Sequence, residues 1–294
     1  MTTLRTWLDQ AWDQHPDQPQ AVADRLADAI ALLDDGTAPA EELARFGEHL
    51  LLGHLDHAPA LRSFIAAMQP AAARDEAVAR VLQRAVLGLA LAGHDAGPRP
   101  VLPPDERLRA MGQAMLACTR RADSSGAQGL LEQAQSLAAQ ANDLKCWRAM
   151  AIITNNLAGD LRYYREQGAS DEPDSRSDEL MLRAAALART HWATAGGWME
   201  VERADYQLAL CHAAAGHGEA ALQHAKACLA GCEANGADAY ELFFAHEALA
   251  IAHATLLHEQ RLRMLARLQA LDDDGAKAYA RTTLAKLDAR ISRS

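Results

Sequence analysis

No stretch of this 294-residue chain can build a buried strand. Valine and isoleucine together number 12, whereas alanine alone numbers 66. Strands draw on β-branched residues, and a parallel sheet covered on both faces needs near-continuous runs of them. Rossmann, P-loop and barrel folds are therefore not expected. Half of the residues are hydrophobic and the mean hydropathy is −0.19. That composition belongs to a folded chain, long enough for one large domain or two ordinary ones.

Nearly every segment repeats its apolar residues at helical spacing. Leu4, Trp7, Leu8, Ala11 and Trp12 share one face of a helix predicted over residues 3–14. Val22, Leu26, Ile30 and Leu33 form the stripe of a second over 20–33, stopped by Asp34, Asp35 and Gly36. A third holds Leu43, Phe46, Leu50 and Leu51. A short one with Leu61, Phe64, Ile65 and Met68 should end at Pro70, and another covers 74–92. Pro98, Pro100, Pro103 and Pro104 crowd the next stretch, and no helix survives that density of prolines. Residues 97–104 thus read as a break between an N-terminal part, 1–96, and a C-terminal part, 105–294. Further helices are predicted over 105–122, 129–141 and 144–167. A polar loop is expected at 168–177. Helices follow over 178–195, 198–215, 219–234, 239–257, 260–271 and 276–291, punctuated by Gly196–Gly197, Gly216, Gly236 and Gly275 as helix ends.

Charge narrows the partners. The formal net charge is −10 and the pI about 5.6. Such a chain is repelled by phosphate backbones unless it has a local basic patch, so no nucleic acid is expected. Arg261, Arg263 and Arg267 are the densest cations, and Asp272, Asp273 and Asp274 balance them. Arg5, Asp9 and Asp13 interrupt the N-terminal segment, leaving no apolar signal core. No run approaches the roughly 20 apolar residues of a membrane span. Five cysteines, an odd number without framework spacing, suit a reducing compartment. A cytoplasmic location away from membranes is the expectation.

Self-similarity carries the most information in a helical chain. The segment LALCHA beginning at Leu208 returns as LAIAHA at Leu249, 41 residues on. At the same offset His217 matches His258 and Ala225 matches Ala266. Leu157–Ala158 lies 51 residues before Leu208, an interval that holds one unit plus the polar loop. Gly53–His54 and Gly93–His94, 40 apart, give a weaker N-terminal echo.

On these residues the chain resembles the tetratricopeptide-repeat superfamily, over about 144–271 and more faintly before. Leu208 and Ala209 take the places of the family's large and small residues on the first helix. Gly216 takes the turn glycine and Ala221 the small residue of the second helix. His212 and Ala225 stand where the family has aromatics, no proline closes the unit, and the period exceeds the usual length of about 34. It looks like the longer repeats of bacterial regulators and adaptors. The resemblance implies an all-α fold. Its architecture would be a right-handed superhelical array of about six antiparallel helix pairs, continuous across the Pro-rich break.

Catalytic chemistry is not legible. Gly216–Ala221 follows a helix, not a strand, so it is no dinucleotide fingerprint. His246–Glu247 and His258–Glu259 lack a second histidine four residues on. Neither a Walker lysine nor a nucleophile-elbow serine occurs. Twelve histidines are many, with His49, His54 and His57 around one turn and His212, His217, His253 and His258 in register. They read as residues of helix ends and interhelix seams, with a metal-binding or enzymatic role as the alternative. No cofactor is expected. Cys228 and Cys232 read as small buried apolar residues, and Trp7, Trp12 and His15 as a cap on the first core.

In the family each unit's first helix lines a concave groove. That carry-over selects Asn155, Asn156, Arg162 and Tyr163, then Arg203 and Tyr206, then Phe244 and Glu247. Aromatics beside asparagine and arginine suit an extended peptide: tyrosine gives contact area, asparagine bonds the backbone and arginine grips a carboxylate. The competing reading makes the aromatics interhelix packing and Arg203 a solvated partner of Glu200 or Glu202. The leading expectation is a non-catalytic scaffold for a protein or peptide, with self-association left open. The alternative is a sensor whose groove takes a signalling peptide or small molecule.

Overall fold

The computed structural model describes residues 3–33, 38–94, 97–167 and 175–291. All of their regular structure is helical, and no strand occurs among the described residues. No helix among them is long and apolar enough to cross a membrane. The chain divides into two units, Met1–Ala204 and Asp205–Ser294. The Pro-rich break at 97–104 lies inside the first.

In unit 1, α1 (Leu4–Gln14) buries Leu4, Trp7, Leu8 and Ala11 of the predicted face but leaves Trp12 exposed, and the Thr3 hydroxyl caps it by accepting from Thr6 N. The helix predicted over 20–33 is two short ones, α2 (Pro19–Ala23) and α3 (Leu26–Ala31). The stop at Asp34–Gly36 lies outside the described residues. Next come α4 (Ala38–Glu48) and a π-helical turn, His49–His54, that the periodicity did not foretell. Within that turn Leu50, Leu51, Leu52 and Gly53 are all buried. The wider i→i+5 bonding of this turn changes which side chains share a face. Helices α5 (Ala58–Ala72), α6 (Glu76–Leu91), α7 (Pro104–Arg120), α8 (Ser124–Ala141), α9 (Leu144–Glu166) and α10 (Ser175–Ala195) follow. Pro70 does not end α5, which runs two residues past it to Ala72 with the proline exposed. Helix α8 starts five residues before the prediction because the Asp123 carboxylate caps it, accepting from Gly126 N. Of the expected polar loop, residues 168–174 lie outside the described residues, and Ser175 already opens α10.

Consecutive helices pack as partners, most extensively α9 with α10, then α7 with α8, while α7 also lies along α9. A buried ion network fastens α4, α6 and α7. Arg84, 5% exposed, donates Nε–H to the Glu48 carboxylate at 2.8 Å and Nη1–H to Glu106 at 2.9 Å.

The division between the units falls within α11 (Trp198–Ala214). Unit 2 continues with α12 (Gly218–Asn235), α13 (Ala239–Gln269) and α14 (Asp274–Ile291). Its core is made of small residues: Ala209, Ala221, Ala225, Ala248 and Ala252 in one cluster, Cys228, Cys232 and Ala245 in another. Small side chains let these helices approach closely. At Gly218 a Cβ would meet the backbone of Leu256 at 2.6 Å. Helix α13 runs unbroken through 258–259, where a boundary was predicted, because no glycine or proline interrupts it. All five cysteines are buried, and none forms a disulfide.

Candidate functional site

The predicted groove residues fall into two groups. On α9 of unit 1, Asn155 is half-buried and Asn156 is exposed. Asn156 lines a cavity of 60 Å³ together with Arg109 and Gln113 of α7. Burial pushes the Arg109 pKa down. Arg162 pairs with Glu166 one turn on, both oxygens accepting at 2.8 Å. Tyr163 is 41% exposed, edge-on to Tyr164. Arg203 lies on the unit 1 part of α11 and is exposed.

In unit 2 the structure brings Tyr206, Phe244 and Glu247 together. The Tyr206 hydroxyl donates to Glu247 Oε2 at 2.9 Å, and its ring meets Phe244 edge-on at 5.9 Å. Two residues missed at the level of sequence extend this surface. Tyr240 and Phe243, each 65% exposed, stand 4.9 and 5.3 Å from the Phe244 ring. The Asp238 carboxylate starts α13 just before them, accepting from Tyr240 N and Glu241 N. Tyr240, Phe243, Phe244 and Glu247 then follow at helical spacing along one face. That spacing was visible in the sequence. Their exposure was not, since the same pattern marks a core face.

Unit 2 also holds a cleft of 440 Å³ between α13 and α14, with nearly all-apolar walls. Met264, Leu268, Tyr279 and Leu284 line it, and Arg263 and Arg267 stand at its side.

The histidines sort differently from the sequence grouping. His57 caps α5, its Nδ1 accepting from Ala60 N, and takes no part in a cluster with His49 and His54. His15, the C-cap of α1, takes that place. Its ring lies 4.8 Å from His54 and 5.3 Å from His49, and the latter two rings lie 4.6 Å apart. His49 Nε2 and His54 Nε2 are 3.1 Å apart. Burial lowers the His49 pKa to about 4 and the His54 pKa to about 2, helped by the neighbouring imidazoles and Arg120. Arg120 is itself held by Asp160 and lies over the Tyr164 ring. In unit 2 His212 stacks on His224 at 5.5 Å and burial lowers its pKa to about 4. His253 and His258, its companions in register, are exposed.

No protein-family model matches the chain, and no curated protein matches it in sequence.

Proposed function

We propose that the chain is a non-catalytic binding scaffold of tetratricopeptide-repeat type, built of antiparallel helix pairs about 41 residues apart and working in the cytoplasm on a protein or peptide partner. The observation that carries this reading is the aromatic surface of unit 2. Exposed aromatic side chains packed on one another supply large contact area at low entropic cost, and interfaces are enriched in them. Glu247 beside them gives a half-buried edge of negative charge, suited to an apolar peptide with a basic residue. Contacts between residues one sequence period apart support the repeat architecture.

Selection of displayed peptides on the purified chain tests this reading. Peptides that bind the wild type and lose at least tenfold on a Tyr240→Ala/Phe243→Ala variant support it, provided the variant keeps its helical circular dichroism. Selected peptides that bind both proteins equally, or no selected peptide at all, overturn it. Arg203→Ala and Tyr206→Ala, tested alongside, report whether the originally expected anchors take part.

The cleft between α13 and α14 favours a second reading, a sensor for a small apolar molecule. Its volume is in the range of ligand pockets. An environment-sensitive apolar dye should bind there and be excluded by Leu268→Glu.

A further inference from the structure

We propose that His15, His49 and His54 form a three-histidine site for Zn2+. The site is independent of the aromatic surface in unit 2, and it depends on the π-helical turn. In an α-helix residues five apart point well away from each other. Bonding at i→i+5 instead stacks the first and last residues of this turn, which is why His49 and His54 face each other. Such turns occur often at functional sites.

The distances suit the ion. Tetrahedral zinc with bonds of about 2.05 Å separates its ligand nitrogens by about 3.3 Å. His49 and His54 hold theirs 3.1 Å apart, and one nitrogen from each of the three rings lies within 4.8 Å of the others.

The outer contacts also suit the ion. Metal-binding histidines donate their remote N–H to a carbonyl or carboxylate, which fixes the tautomer. His15 Nδ1 donates to the Trp12 carbonyl at 2.8 Å, leaving its Nε2 lone pair free. His49 Nδ1 faces Gln113 Oε1 at 3.4 Å and can do the same. The rings of Trp12 and Phe46 wall the site, 5.6 Å from His49 and 5.7 Å from His15.

One contact must rearrange. Arg120 Nη2 lies 3.4 Å from His54 Nδ1, so in the metal-free chain the His54 proton sits on Nε2 and bridges to His49 Nε2. Zinc replaces that bridge. The proton moves from Nε2 to Nδ1 of the same ring, no charge is lost, and Arg120 keeps its stronger partners, Asp160 and the Gly53 carbonyl. Water completes the fourth position.

The test uses the full chain, stripped with chelator and then dialysed against Zn2+. Elemental analysis should find one zinc per chain, and Co2+ in its place should show the intense visible absorption of a tetrahedral ion. His15→Gln, His49→Gln and His54→Gln should each weaken zinc binding more than about 100-fold, since outer contacts alone are worth about 10- to 100-fold. His57→Gln and His212→Gln should leave it unchanged. Circular dichroism shows which variants fold, and any one folded variant of the three carries the comparison. A wild-type chain that takes up no zinc overturns the proposal and leaves the three rings as a neutral hydrogen-bonded chain. Zinc retained at full stoichiometry by a folded variant of the three places the ion elsewhere and overturns it equally.

Discussion

Tyr206 donates its phenolic hydrogen to Glu247 across 2.9 Å, and the two residues lie 41 positions apart. The same offset separates the Thr119 hydroxyl from the Asp160 carboxylate that accepts from it at 2.7 Å, and Gly218 N from Glu259. In helix pairs that stack on one another, residues one period apart occupy neighbouring positions on neighbouring helices. The interval between LALCHA and LAIAHA is also the interval spanned by these three hydrogen bonds. It places a hydroxyl or an N–H opposite a carboxylate three times over.

The Tyr206–Glu247 bond predicts a measurable coupling. A partly buried hydrogen bond to a charged group contributes about 1.5–3 kcal/mol. Tyr206→Phe and Glu247→Gln should each lower stability, and urea denaturation of the two single variants and the double variant should give a coupling of about 1 kcal/mol or more. Additive losses would mean the two side chains do not act on each other in solution.

The network at Arg84 predicts a larger effect. Glu48 is 1% exposed and depends on Arg84 for its charge, because burial alone pushes its pKa up. Removing the guanidinium in Arg84→Met strands a buried carboxylate and should cost about 3–5 kcal/mol. Glu48→Leu added to it should recover much of that loss, since Glu106 lies nearer solvent. Thermal and urea melts of the single and double variants check this, and a double variant worse than the single one would contradict it.

Acid should weaken unit 1 through its histidines. Their folded pKa values lie below the ordinary 6.5, at about 4 for His49 and about 2 for His54. Between pH 6.5 and 4 the unfolded imidazoles therefore take up protons that the folded ones refuse. Stability is full above about pH 7 and falls as pH drops through that window, by up to about 1.4 kcal/mol per pH unit for each histidine. Urea midpoints measured across this range in chelator should follow that slope, and His49→Gln should flatten it.

Two glycines in helices should respond with opposite sign. A Cβ at Gly218 would stand 2.6 Å from the Leu256 backbone, so Gly218→Ala should destabilise by about 1–3 kcal/mol. Gly129 in α8 has open space around its Cα, so Gly129→Ala should stabilise by about 0.5–1 kcal/mol. Melting temperatures of the two variants moving in the same direction would contradict the close helix approach at Gly218.

The all-helical character and most helix positions were legible without coordinates, because they follow from local rules. A chain with so few β-branched residues cannot build strands, and apolar residues three and four apart put Leu4, Trp7, Leu8 and Ala11 on one face. Asp143 and Asp238 stand just before the helices predicted from 144 and 239, whereas the start capped by Asp123 was missed. The tertiary structure decided what depends on distant segments meeting. Leu50, Leu51 and Leu52 are buried in a turn of π geometry, and that widening sets His49 against His54. Helix α1 then delivers His15 from 34 residues upstream of His49, while His57, close in sequence, is spent on a helix cap. The apolar spacing of Tyr240, Phe243 and Phe244 is that of a core face, and only the packing of α13 leaves two of them in solvent. Periodicity fixes which side of a helix is apolar, but which neighbour covers that side depends on contacts that no local pattern records.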